Sequence, residues 1–218
     1  MKKILILVTA LAITIGATAQ ENPLTYGVKA GLNISQFSSG SVEAMGMSED
    51  YDATGAAIGF FVSGHVNYSF GQFFGIQPEL SFSMQGAKDS EGDHSLTQCY
   101  NYINIPVLFE VKPMTNFSIF VGPQIGFNIY KSMTEKMGGE SVTISGSEVD
   151  DFLKEAGLKT NSFDLAAVVG LQYAINGQFL ISARYNVGFT TVLDSDVSGM
   201  SVSGGNNRVF QLGIGYTF

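Results

Sequence analysis

Residues 24–35 read Leu-Thr-Tyr-Gly-Val-Lys-Ala-Gly-Leu-Asn-Ile-Ser. Leu24, Tyr26, Val28, Ala30, Leu32 and Ile34 fall on one face of an extended chain, and Thr25, Gly27, Lys29, Gly31, Asn33 and Ser35 on the other. Period two is the strand period, and it is held here over about twice the length of an ordinary strand. The polar face is mostly small and uncharged, whereas a solvated exterior normally carries Lys and Glu. The polar face is therefore read as enclosed, and the apolar face as turned toward hydrocarbon.

The alternation recurs seven times further along the chain. Its apolar faces are Ile58 to Tyr68, Phe74 to Met84, Ile103 to Val111, Phe117 to Ile129, Phe163 to Tyr173, Phe179 to Phe189 and Phe210 to Phe218. Leu108 breaks the fourth of these. Eight segments of about ten to thirteen residues match a small transmembrane barrel, which must close because an open edge in lipid leaves backbone groups unpaired. The connections Ser69 to Gln72, Pro113 to Asn116 and Asn176-Gly177 are short; Gln36 to Gly55, Gly86 to Leu96, Lys131 to Asn161 and Thr191 to Asn207 are long. Asn-Gly signals a two-residue hairpin turn with positive φ at both positions. The expected fold is all-β: an eight-stranded antiparallel up-and-down transmembrane β-barrel with short periplasmic turns and long extracellular loops. Tyr26, Tyr68, Phe74, Tyr173, Phe179 and Tyr216 gather at one rim, as in an aromatic girdle, which argues against a water-soluble barrel of the lipocalin kind. Tyr216 and Phe218 share the apolar face of the last segment and form the expected C-terminal membrane-insertion signal.

The first residues have another character. Lys2 and Lys3 precede an apolar stretch from Ile4 to Ile15, and Ala17-Thr18-Ala19 follows with small residues. This is the pattern of a cleaved secretory signal over residues 1–19, cut after Ala19 or Gln20, and it is too short for a membrane anchor. Residues 20–218 then form the barrel domain.

Only 14% of the chain is charged, well below the roughly 25% of soluble domains, and with 17 Phe and 9 Tyr this argues against disorder. A formal net charge of −8, without a basic cluster, argues against nucleic-acid binding, and the single Cys99 excludes a disulfide framework. The long connections carry fifteen of the nineteen acids with only five lysines. They would present an acidic outer surface, yet none has the Asp-x-Asp-x-Asp-Gly spacing of a calcium loop. Ser147 to Gly157 reads as a short helix with Ser147 and Asp150 as a capping box and Val149, Phe152, Leu153 and Ala156 on one face.

Four charges fall on the enclosed face: Lys29, Glu79, Asp164 and Arg184, with His65 nearby. A bore this narrow is filled by side chains, and buried charges must pair, so these four are expected to form a structural network that plugs the lumen. No catalytic, cofactor-binding or metal-ligating set is expected. His65 and His94 lack metal spacing, and the adjacent residues Asp93-His94-Ser95 do not converge as a triad does.

Gly27-Val28-Lys29-Ala30-Gly31-Leu32-Asn33, Gln77-Pro78-Glu79-Leu80-Ser81-Phe82, Tyr102-Ile103-Asn104-Ile105-Pro106, Val121-Gly122-Pro123 and Ala183-Arg184-Tyr185-Asn186-Val187-Gly188 resemble, in this order, the PorT-type outer-membrane β-barrel family of Bacteroidetes. The resemblance spans essentially all of the chain after the signal. It implies an eight-stranded outer-membrane barrel and, through the founding member, a link to protein secretion. Asn104 stands where that family usually carries Glu. The expected role is a non-enzymatic outer-membrane protein acting through acidic loops, with a narrow pore and then a lipid A-modifying enzyme as alternatives. The expected partners are outer-membrane lipid and lipopolysaccharide, the barrel-assembly machinery during insertion, and a protein at the 131–161 loop; no cofactor is expected.

Overall fold

The computed structural model describes residues 23–195 and 199–218. The signal at 1–19 and its cleavage site lie outside the described residues. The elements are β1 (Leu24–Phe37), β2 (Gly40–Ala44), β3 (Met47–Tyr51), β4 (Ala57–Phe70), β5 (Phe74–Glu91), β6 (His94–Met114), β7 (Phe117–Met137), β8 (Glu140–Ser145), α1 (Ser147–Glu155), β9 (Leu158–Thr160), β10 (Phe163–Ala174), β11 (Phe179–Thr191), β12 (Leu193–Ser195), β13 (Met200–Gly204) and β14 (Asn206–Thr217).

Eight of these strands close a ring in the order β1-β4-β5-β6-β7-β10-β11-β14, every pairing antiparallel. β14 returns to β1 from Gly27↔Thr217 to Phe37↔Asn207, so the ring has no free edge. The pleat places alternate residues on opposite faces. Leu32 is 58% exposed while Asn33 is 0% exposed, and Leu80 is 60% exposed while Glu79 is 4%. The polar face is enclosed and the apolar face is outside, an arrangement suited to lipid and not to water. Around the short-turn rim, Tyr26, Phe218, Tyr216 and Phe179 form a chain of ring contacts, with centroids 5.1–5.8 Å apart.

The connections at the two ends differ from expectation. The residues read as loops are largely strands. β5 and β6 run on to a tight turn at Gly92, so Gly86 to Leu96 is a hairpin continuing the barrel wall. β6 and β7 have 21 residues each, about twice what crosses a bilayer, so their upper halves stand beyond the lipid. β8 pairs with β7. β13, β2 and β3 make a separate sheet, and β9 pairs with β12. These pieces form a crown over the mouth. Sequence periodicity passed over them because these strands run only three to six residues, too short for an alternation to stand out.

Three local expectations are corrected. The N-cap of α1 is Gly146, with φ of 58°, and no side chain caps the helix; Ser147 is its first helical residue. Val149 and Leu153 are buried, but Phe152 is 58% exposed and Ala156 is exposed. At Asn176-Gly177 only the glycine has positive φ. Asn176 instead uses its side-chain Oδ1 to accept from the backbone N–H of Phe179, at 2.9 Å. Turns with positive φ at both central positions are Met45-Gly46, which joins β2 to β3, and Gly138-Gly139, which joins β7 to β8.

Candidate functional site

Three lumen charges meet at one point. Glu79 on β5 accepts from Lys29 Nζ on β1 at 2.7 Å. The same carboxylate takes a two-pronged contact from Arg184 on β11, at 2.7 Å from Nη1 and 2.6 Å from Nη2. Gln77 Nε2 adds a fourth donor at 2.5 Å. All four residues are buried. In the ring three strands separate β5 from β11 on either side, so the Arg184–Glu79 contact crosses the bore and ties opposite walls together. Two cations on one carboxylate leave a local charge of +1, and the face of Phe120 lies 5.8 Å from Lys29 Nζ and 6.0 Å from Arg184 Cζ.

Space for these long side chains comes from glycine. A Cβ on Gly170 would stand 2.7 Å from Arg184 Cγ, and one on Gly215 would stand 2.6 Å from Lys29 Cγ. Beside the ionic cluster, Phe120 packs with Leu108 and Val168, all three essentially without solvent contact. Leu108, which breaks the alternation of its segment, is thus a lumen residue.

Asp164 does not join the network. It sits higher, next to Gly126 and Ala166, and accepts from Thr190 Oγ1 at 2.7 Å. His65 lies beside Glu79 in the β4–β5 pairing but makes no bond to it. Glu110, which sequence reasoning left out of the lumen charges, is buried and accepts from Asn67 Nδ2 at 2.6 Å, with Lys112 Nζ at 3.3 Å. Phe61, Phe120, Val168 and Leu180 were also missed; each puts an apolar side chain on the polar face, and such breaks in alternation were the available signal. Below the ionic cluster, at the short-turn mouth, a cavity of about 170 Å³ is lined by His65, Asn67, Gln77 and Glu110 among others. His65 Nδ1, Asn104 Oδ1 and both polar atoms of the Asn186 amide are buried without a protein partner.

Above, the mouth is covered. Phe37, Ala87, Tyr100, Tyr102 and Val192 form one buried cluster. Met133, Val149 and Leu153 form another, with Ile144, Leu158 and Leu193 against it. Lys131 donates to both Asp150 and Thr160 and fastens α1 and β9 to the wall. His94 Nε2 lies 2.7 Å from Glu135 Oε1 on the surface and has no serine in its bonding. Cys99 is half-buried, which raises its thiol pKa and keeps it protonated. Among the described residues no group of His, Cys, Asp and Glu is placed to hold a metal.

An inside-out ring of eight long strands, with a polar filled bore and one elaborated end, defines a small transmembrane β-barrel. A model of the outer membrane protein beta-barrel domain matches residues 18–194, and the chain belongs to that family. It is an outer-membrane barrel protein. Similar solved structures include the attachment invasion locus protein Ail of Yersinia pestis, at 17% identity over 89% of this chain and 99% of that one, with a TM-score of 0.44. Neisserial surface protein A shows 11% identity over 88% and 95%, with a TM-score of 0.46. OprG of Pseudomonas aeruginosa shows 14% over 89% and 95%, with a TM-score of 0.47. No curated protein matches the chain.

Proposed function

We propose that this protein is a non-conducting, non-enzymatic barrel that works through its extracellular crown. The observation that carries this reading is the carboxylate of Glu79 held by Lys29 and Arg184 from across the bore. Moving an ion past it would require breaking a buried ionic contact, which is strongly unfavourable. Phe120, Leu108 and Val168 fill the space beside it, and Phe37, Tyr100 and Tyr102 fill the mouth above. What remains available to partners is the β-structured crown, whose sequence carries most of the chain's acids. The motifs around Lys29, Glu79, Asn104 and Arg184 support a PorT-type barrel from a Bacteroidetes outer membrane, exported by the signal at 1–19. On this reading Tyr216 and Phe218 are read by the barrel-assembly machinery, and a protein partner contacts the 131–161 segment, in keeping with a secretion-associated role.

The test is conductance of the folded chain in planar bilayers. The expected result is no steady open channel in the wild type, with Glu79→Gln introducing leak. A steady wild-type conductance would overturn the reading in favour of a narrow pore. That second reading draws on the polar atoms of His65 and Asn186, which are buried in the bore without a protein partner.

A further inference from the structure

Above the lipid band, β5, β6, β7 and β8 continue as a four-stranded sheet whose two faces differ in charge. The face continuous with the lipid-facing wall follows Phe82, Met84 and Gly86 along β5 to Lys88 and Ser90. Its cross-strand rungs are Lys88-Thr97-Thr134-Thr143 and Ser90-Ser95-Lys136-Ser141. Every side chain in these two rungs is a hydroxyl or an ammonium. Asp89, Glu91 and Glu135 alternate with these residues and fall on the other face of the same strands, while Glu140, the first residue of β8, borders the depression between the turns. In a chain this acidic, outward lysines are the exception.

Lys88 and Lys136 are exposed and line one open depression of about 540 Å³ with Ser90, Ser95 and Ser141, and with Asp93, His94 and Glu140 from the two adjoining turns. Neither lysine forms an ion pair with a described residue. The two lie two strands and one rung apart, roughly 12 Å at ordinary sheet spacings. Four residues separate Lys88 from Met84, a height of roughly 10 Å on a tilted strand, which is headgroup depth for the adjoining leaflet. Lysine stems reach along such a boundary while keeping the ammonium at the polar layer.

We propose that this outward face binds the phosphorylated sugar headgroup of an outer-leaflet glycolipid. Lys88 and Lys136 each take a phosphate, and the Ser and Thr rungs hydrogen-bond the sugar hydroxyls. The ammonium groups act directly on phosphate, with no bridging cation. The inference rests on the outer-membrane reading, which puts the long-strand end outside.

The experiment uses the processed chain folded into phosphatidylcholine vesicles with and without diphosphoryl lipid A. Urea midpoints and co-purified lipid A are measured for the wild type and for K88Q/K136Q. Lipid A raises the wild-type midpoint, and the double variant, equally stable in phosphatidylcholine alone, binds lipid A at least about tenfold more weakly. Monophosphoryl lipid A gives a smaller gain, and inorganic phosphate none. An equal lipid A gain in the variant, or an equal wild-type gain from inorganic phosphate, overturns the proposal. Failure of both proteins to enter vesicles would instead bring down the membrane reading beneath it.

Discussion

The lower and upper halves of β6 are built by opposite rules. Toward the short turns, Val107 and Phe109 face out at 39% and 45% exposure while Asn104 and Glu110 are buried. Toward the crown the same strand buries Tyr100 and Tyr102 and turns Thr97 and Ser95 outward. β7 makes the same change, from Val121 and Phe127 outside to Thr134 and Lys136 outside. The hydrogen-bonded ladder is continuous through the change, apart from one register shift at Asn101/Tyr102. Backbone pairing is thus indifferent to which face is greasy; the surrounding medium decides. In lipid a polar interior costs little if its groups pair with one another, and in water the crown needs apolar clusters like any soluble domain.

The comparison can be broken at its strongest point first. Glu79→Gln leaves Lys29 and Arg184 facing each other without an anion, and should destabilise the barrel by about 3–5 kcal/mol in urea or heat unfolding from detergent. An unchanged midpoint would mean that the bore is wet enough to screen them. Next, two arginines on one strand separate the regimes. Val121→Arg should cost about 2–4 kcal/mol near the bilayer midplane, whereas Thr134→Arg, above the lipid, should stay within about 0.5 kcal/mol. Equal effects would erase the boundary drawn between them. Leu153→Ala removes a buried crown side chain and should cost about 2–4 kcal/mol within the crown. Its signature is faster proteolysis of residues 131–161 with the barrel's heat-modified gel mobility unchanged. Smallest is Glu135→Gln, which breaks an exposed contact to His94 and should shift stability by about 0.5 kcal/mol or less.

The membrane-spanning walls were legible because lipid on one side and small polar groups on the other give the strongest contrast that period two can carry. The meeting of Lys29, Glu79 and Arg184 followed from charge on an otherwise neutral face of a narrow bore. Asp164 sits on the same face, but as the second residue of β10 it stands at the crown end, well above Arg184 in the middle of β11. The crown strands were hidden for the reason the comparison supplies. Glu49 and Asp50 on β3 lie in water on a strand with no greasy face to mark it, and on β8 the alternation of Val142 and Ile144 with Ser141 and Thr143 lasts only six residues. Phe120 was obscured by its neighbours Ile119 and Val121, since three apolar residues in a row conceal which one points inward.

The glycines beside Arg184 and Lys29 carry one more implication. An eight-strand ring is a container of set capacity, so bulk added at one lumen position must be removed from the strand next to it. A side chain at 170 would need the room that Arg184 Cγ occupies, and one at 215 would meet both Lys29 Cγ and the backbone carbonyl of Val28, so at neither position can bulk be added while the neighbouring cation keeps its course to Glu79. Alanine at either glycine should therefore act on the ionic cluster from behind, by displacing the stem of one of its two cations.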